Sequence, residues 1–285
     1  MGYDILFLDM DGTLKQEPHE ISNGNKEAIL QACHAGKKVS IATGRNKYLI
    51  LRTVKELKLD EFGVSYTVAL NGAHIIDNIT GNTLHSAPIP MDLTGYLFEK
   101  AYEYGISCHV YTENSIFFNY HDNQFDWYQE EGCDCRLVCM DHPKLGLQEE
   151  PLKFFLYSED GDKLGRLKCE AEAVTKGILN AEFSNTRSLE YTSIHASKGL
   201  GIKYVCGLFG IPLTSAIAAG DGENDISMIK IAGLGIAMKN ALETVKAAAD
   251  TVTEHSCMED GVAEIIQEYL LCLSSMRKAI PIEMR

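Results

Sequence analysis

Proline, tryptophan and positive charge are scarce in this chain. Seven prolines and a single tryptophan occur in 285 residues, and no tract is biased enough in composition to stay a disordered arm or linker. Lys and Arg number 26 against 40 Asp and Glu, a net charge of −14. A surface that acidic repels phosphate backbones, which excludes nucleic acid as the main partner. Long apolar runs are missing too. Stretches such as Ile5 to Leu8 fall far short of the roughly 20 residues of a membrane span, so no membrane association is expected. The start MGYDILFLD lacks the basic head, apolar stretch and cleavage site of an export signal, and Leu6 stands where a myristoylation signal has Ser or Thr. The chain reads as cytoplasmic.

Cysteine, by contrast, is present in nine copies, an odd number that fits reduced thiols better than a disulfide framework. Cys133, Cys135, Cys139 and His142 cluster in sequence, but the C-x2-C pair of structural zinc sites is absent. The stretch CDCRLVCM alternates like a half-buried strand with Cys133, Cys135 and Leu137 on one face. The strand reading is the better one, and no structural metal is expected there.

The length suits one large domain or two modest ones. The first eighty residues alternate short apolar runs with helical patterns: Tyr3 to Leu8, Ser22 to His34, Val39 to Ala42, Arg45 to Leu57 and Val64 to Leu70. That is the βαβ rhythm of a parallel sheet, with strands apolar on both faces. After Asn71-Gly72 the pattern turns to α+β, and from Ser197 the first rhythm resumes. The expected fold is α/β, a Rossmann-like parallel-sheet core (1–83 and 190–285) carrying an inserted α+β cap domain (84–189).

Two acidic clusters follow apolar strands. Asp9-Met10-Asp11-Gly12-Thr13 leaves YDILFL, and Gly220-Asp221-Gly222-Glu223-Asn224-Asp225 leaves AIAA. Both sit at strand carboxyl ends, where open α/β sheets bind ligands. Two residues apart in an extended chain, Asp9 and Asp11 share a face, so that one can attack while the other exchanges a proton. A polar turn explains DMDG less well, because it leaves two carboxylates on an apolar strand end. A calcium loop using Asp9, Asp11, Thr13 and Glu20 fails because Leu14 replaces the required glycine. The second cluster suits a hard cation such as Mg2+, although a helix-capping turn would use the same letters. Thr43-Gly44 ends KKVSIA and opens a helix at Arg45, offering a hydroxyl and free amides to a phosphate, or simply a helix cap. Lys198 opens a helix whose Leu200, Tyr204, Val205, Leu208 and Phe209 form an apolar face.

The ordered set DMDGT, TGR, SKG and GDGEND resembles the four motifs of the haloacid dehalogenase superfamily. LNGAHI, GIAMKNALETVKAAAD and EDGVAEII are similar to its Cof-like branch, phosphatases with a large α/β cap between the second and third motifs. The resemblance implies that Asp9 is a nucleophile forming an aspartyl phosphate. Asp11 would be the general acid and base, with its carbonyl also on magnesium. Asp221 would complete the metal's protein ligands, and Asp225 would support its water shell. Met10, Thr43, Gly44, Lys198 and Asn224 would hold the phosphoryl group, and Asn71 would stand near the substrate entrance. Lys239 stands where the branch more often has glycine.

Dehalogenases of the superfamily use no metal and generally lack the second Asp, so Asp11 and the acidic fourth motif argue against that reaction. The function expected is a magnesium-dependent phosphatase acting on small phosphorylated metabolites, either sugar phosphates or phosphorylated cofactors. A phosphohexomutase using the same Asp pair and a catalytically silent phosphosugar-binding regulator are the rivals. In the cap, Tyr111, His121, Asp122, Arg136 and Glu190 are candidate specificity contacts.

Overall fold

The computed structural model describes residues 2–15, 20–63, 66–130, 133–140 and 146–272. In chain order these form β1 (Ile5–Leu8), α1 (Asn23–His34), β2 (Lys38–Ile41), α2 (Lys47–Glu56), β3 (Tyr66–Ala69), β4 (His74–Asp77) and β5 (Thr83–Ser86). There follow α3 (Met91–Tyr104), β6 (Ser107–Tyr111), β7 (Ser115–Phe118), α4 (Asn123–Glu130), β8 (Arg136–Cys139), β9 (Lys153–Tyr157), α5 (Gly161–Thr175), β10 (Leu179–Asn185) and β11 (Ser188–Ser193). The remaining described strands and α-helices are α6 (Lys198–Phe209), β12 (Ala216–Gly220), α7 (Ile226–Ile231), β13 (Leu234–Ala237), α8 (Glu243–Ala248), β14 (Thr251–Val252) and α9 (Gly261–Ile265).

The core sheet is parallel and runs β14-β13-β12-β1-β2. Its central strand β1 is buried along its whole length because helices cover both faces. Leu6 and Leu8 pack to one side, against Ile29 of α1 and Ile265 of α9. Ile5 and Phe7 pack to the other, against Ile202 and Val205 of α6 and Met228 of α7. Burying each such side chain contributes about 1.5–3 kcal/mol, which makes β1 the spine of the core. Ser22 caps α1 by accepting the Asn25 amide at 3.2 Å, and Ala28, Ile29, Ala32 and Cys33 form its buried stripe.

β3 differs from its expected place as a further parallel strand. It touches β2 through one parallel bridge, Ala42 to Val68, and otherwise pairs antiparallel with β4 in a small β3-β4-β5 sheet. The Asn71-Gly72 turn that follows β3 is too short for a crossover connection, so β4 returns antiparallel and draws β3 into its own small sheet. Val64, the expected start of this strand, lies outside the described residues.

The cap is a six-stranded sheet in the order β10-β11-β9-β6-β7-β8, antiparallel except for the β7–β8 pair. α3 and α5 cover one face. The other face brings Tyr111, Ile116 and Phe118 against Leu49, Leu70 and Ala73 of the core, an apolar seam between the two layers. The borders expected at 84 and 190 fall inside β5 and β11. The chain changes sheets at 87–89, where Ala87 still donates to Ala73 and Ile89 already donates to Pro151, and again at 194–197. Strand pairing holds each border strand to its end, which composition does not reveal. No described helix is long and apolar enough to cross a membrane.

Candidate active site

β1 and β12 are hydrogen-bonded neighbours in register from Ile5–Ala216 to Leu8–Ala219, so the residues that leave their carboxyl ends emerge side by side. Asp9 continues the ladder by donating its amide to Ala219 O at 3.1 Å. The turn after it is tight. Gly12 has φ +86°, and a Cβ there would lie 2.2 Å from Asp221 Oδ2, so only glycine lets the two acidic loops close on each other. Thr13 Oγ1 donates to Asp221 Oδ1 at 3.1 Å, and Asn240 Nδ2 holds the Gly12 carbonyl at 2.7 Å.

Carboxylate oxygens of Asp9, Asp221 and Asp225 all lie within 4.8 Å of one another. Lys198, the first residue of α6, is fully buried and bridges two of them, its Nζ standing 2.6 Å from Asp9 Oδ1 and 2.5 Å from Asp225 Oδ1. Asp225 Oδ2 in turn accepts the amides of Asp221 and Gly222, both at 2.9 Å. Asp225 therefore shapes its own loop and fixes the lysine. Burial pushes the Asp9 carboxyl well above its usual range, with Asp225 and Asp221 adding to the rise and Lys198 opposing it. Burial likewise lifts Asp221 to about 6, again helped by Asp225. Burial works against the Lys198 charge, but Asp225 and Asp9 outweigh it and hold the ammonium above the ordinary lysine range. Three crowded carboxylates stand around an ammonium that contacts two of them, and all their ligand atoms are oxygen. That donor set fits a small hard dication.

The second motif stands on the next strand end. Thr43 is buried, its amide donates to Val68 O at 2.8 Å, and its carbonyl accepts the Asn71 amide at 3.0 Å. Its hydroxyl accepts the Arg45 amide at 3.2 Å. Helix α2 does not open at Arg45: Asn46 is the cap, accepting the Leu49 amide at 3.2 Å. Thr43 and Asn46 are both capping types, and the sequence pattern does not choose between them. The two-residue shift frees Arg45, which grips Asp11 with two hydrogen bonds, Nε to Oδ2 at 2.7 Å and Nη2 to Oδ1 at 2.5 Å. Met10 sends its side chain into the core, so any contact it makes with a ligand comes from its backbone.

Asn71 and Asn224 meet each other, Asn224 Nδ2 donating to Asn71 Oδ1 at 3.1 Å. Leu70 and Asn71 both have positive φ, 49° and 55°. For leucine this is a strained conformation of the kind that concentrates at functional sites. From the cap, Lys153 at the head of β9 reaches the same place. It is 4% exposed, pairs with Glu190 at 2.7 Å and donates to Gly44 O at 3.2 Å. Asn71 Nδ2 also donates to Glu190 Oε2, at 2.9 Å. A continuous polar chain thus links Lys153, Glu190, Asn71 and Asn224 across the seam.

A family model of haloacid dehalogenase-like hydrolases matches residues 6–266. The chain belongs to that family. A haloacid dehalogenase-like hydrolase from Bacteroides thetaiotaomicron is 30% identical with a TM-score of 0.83, covering 93% of this chain and 99% of its own. A sugar phosphatase of haloacid dehalogenase subclass IIB is 25% identical with a TM-score of 0.79, covering 93% and 98%. Among named enzymes, the 5-amino-6-(5-phospho-D-ribitylamino)uracil phosphatase YcsE of Bacillus subtilis is 29% identical over 94% of this chain and 96% of its own. The HMP-PP phosphatase of Yersinia pseudotuberculosis is 26% identical, with the same two coverages.

Against this haloacid dehalogenase-like frame, the expected residues divide. Asp9, Asp221, Asp225 and Lys198 converge. Asn71, Asn224, Thr43 and Gly44 rim them, and Asp11 stands beside them on Arg45. Of the cap residues, Glu190 reaches the site, and Tyr111 lies beneath Lys153, 5.5 Å from its Nζ. His121 pairs with Asp126, and Asp122 binds Ser107 and His109 inside the cap. Arg136 lies exposed on β8. On α6, Val205 is buried and Phe209 packs against the core as expected, but Leu200, Tyr204 and Leu208 are exposed, and Gly201, Ile202 and Cys206 complete the buried face. Gly201 determines this, since a Cβ there would meet Val68 at 2.3 Å.

Arg45, Lys153 and Asn240 escaped the sequence reading. Arg45 was visible as the last letter of TGR. Lys153 could have been found as the one charge in the apolar strand PLKFFLY, a position where an unpaired lysine is costly.

Proposed function

We propose that the protein is a magnesium-dependent phosphatase of small phosphomonoesters, working through an aspartyl phosphate on Asp9. The observation that carries this is Asp9 itself, a buried carboxylate at the end of β1, held by Lys198 and placed beside two further carboxylates. Asp9 attacks phosphorus, and the P–O bond to the alcohol breaks. Asp11, kept at the rim by Arg45, gives its proton to the departing oxygen and then takes one from the water that releases phosphate. Lys198, the Thr43 hydroxyl, the Gly44 amide and Asn224 hold the phosphoryl oxygens in this reading. Phosphoryl transfer depends chiefly on such positioning and charge neutralisation. Asp9, Asp221 and the Asp11 carbonyl would hold Mg2+ with support from Asp225, and the ion supplies positive charge against nucleophile and phosphoryl group.

The substrate pool in this reading is sugar phosphates and phosphorylated cofactors. Relatives named as a sugar phosphatase and as a phosphoribitylaminouracil phosphatase support it. So does the Lys153–Glu190 pair, a donor and an acceptor together, which suits hydroxyl groups on the leaving alcohol. A cytoplasmic setting belongs to the same proposal, supported by all nine cysteines being free thiols. The test is phosphate release from a phosphometabolite panel with magnesium. Asp9→Asn abolishes turnover, because an amide of nearly the same shape does not attack phosphorus. Release by that variant at the parent's rate overturns the reading.

A further inference from the structure

Cys133 and Cys135 lie between α4 and β8 on the cap's core-facing side, with their sulfurs 3.2 Å apart and unlinked. Cys135 is buried in the seam with Leu49 and Tyr128, and Cys133 is half-buried at its edge. Both sulfurs face one core group, the Asn46 amide, at 3.8 Å and 4.0 Å. Asn46 caps α2 and directly follows Arg45, the residue that grips Asp11. Trp127 of α4 lies 5.9 Å from the Arg45 guanidinium. A change at these sulfurs is thus one residue removed from the catalytic rim.

We propose that Cys133 and Cys135 form an oxidisable dithiol, converted by small hydroperoxides to a reversible disulfide that disturbs the Arg45 loop. Nothing in the phosphatase reading uses these thiols. The Cys135 thiol and the Asn46 amide hydrogen-bond to the Cys133 sulfur, and this pair draws Cys133 down to about 7. Cys133 is also the half-buried thiol at the seam's edge, where Cys135 is buried, so it is the one that meets the oxidant. The other buried cysteines are protected: burial pushes Cys33 and Cys206 up to about 11, and Cys108 and Cys257 upward as well.

The chemistry proceeds in two steps. The Cys133 thiolate attacks one peroxide oxygen, the O–O bond breaks, and a sulfenic acid forms with release of alcohol, or of water from hydrogen peroxide. Cys135 then attacks that sulfur, the S–O bond breaks, and the departing hydroxide leaves as water with the Cys135 thiol proton. The two sulfurs together lose two electrons, which the peroxide takes. Bond formation draws them from 3.2 Å to about 2.05 Å, pulling them off the Asn46 amide beside Arg45. Dithiothreitol reverses the bond by exchange.

The test uses the whole protein, freed of reductant, treated with hydrogen peroxide, alkylated and peptide-mapped. Trp127, the only tryptophan, reports on the seam by its emission, and p-nitrophenyl phosphate with magnesium reports on turnover. The expected peptide carrying both cysteines has lost two hydrogens and resists alkylation. Trp127 emission shifts, turnover falls several-fold, and dithiothreitol restores both. Cys133→Ser and Cys135→Ser begin at the parent's turnover and no longer respond. Three results would overturn the proposal: Cys133 carried to sulfinic or sulfonic acid with Cys135 still alkylated, a bond from either to another cysteine, or a bond that leaves emission and turnover unchanged. Reduced protein with no phosphatase activity overturns the phosphatase reading instead, while the mass and emission readouts still decide this one.

Discussion

Arg45 commits its guanidinium fork to both oxygens of Asp11, and it is itself largely buried while Asp11 is half-exposed. Charge-assisted bonds of this kind are worth roughly 1.5–3 kcal/mol. Arg45→Met accordingly lowers turnover of poor leaving groups by about ten- to a hundredfold, with a smaller loss on activated aryl esters, which need less help from a proton donor. Equal losses on both would show that Arg45 serves phosphate binding and not Asp11. Asp221 gives a second residue-scale expectation. Its carboxyl moves from 3.8 to about 6 on folding, so the folded chain holds that proton more tightly. The stability this contributes is complete below about pH 3.8 and is lost as pH rises through about 6, a change on the order of 3 kcal/mol. Without metal, Asp221→Asn therefore melts higher than the parent at pH 7.5 and not at pH 4. Magnesium raises the parent's Tm at pH 7.5 and leaves the variant's nearly unchanged. Melting curves with and without the ion decide both points, and a variant that melts below its parent at pH 7.5 without metal contradicts the account.

At the scale of elements, β9 and β11 carry the residues most open to test for specificity. Lys153→Met and Glu190→Gln should each lower kcat/KM for polyhydroxylated phosphate esters about tenfold or more relative to p-nitrophenyl phosphate, because hydrogen bonds to a substrate hydroxyl discriminate strongly. Unaltered ranking across a phosphometabolite panel would remove the pair from substrate recognition. Glu190 is among the contacts the sequence suggests, whereas Lys153 shows where the sequence stops being legible. Asp9, Asp221 and Lys198 were readable because each joins a chemically telling side chain to a strand end or helix start. Lys153 meets Gly44 across 109 residues, and that meeting depends on how the cap sheet docks. Local periodicity carries no trace of docking. The same applies to α6, where apolar letters on two faces left the buried side to Gly201 and its fit against Val68. The β3 turn and the Asn46 cap were missed for a different reason: turn and cap residues permit several neighbouring solutions, and pairing across the molecule selects one.

For the whole molecule, Asp9 and the acidic loop that faces it come from the two separate parts of the core, near the start and towards the end of the chain. Thr13 and Asp221, hydrogen-bonded in the site, lie 208 residues apart, whereas the cap strands β6 to β11 belong to one uninterrupted stretch. During synthesis the cap is complete while β1 still lacks β12, its partner on one side. Closing a loop that long costs conformational entropy that must be met before the contacts it enables form. A folded cap shortens the effective loop, because Ala87 and Ala196 at its two connections pack in the same cluster. The inserted domain would then act as a folding clamp that gathers the two halves of the core. In pulse-labelled hydrogen exchange during refolding, amides of β6, β9 and β11 should gain protection before those of β1 and β12. Leu97→Ala, a cavity in the cap's own core, should slow the return of core protection as well as cap protection. A core that refolds at the parent's rate behind a crippled cap would show that its two halves find each other unaided.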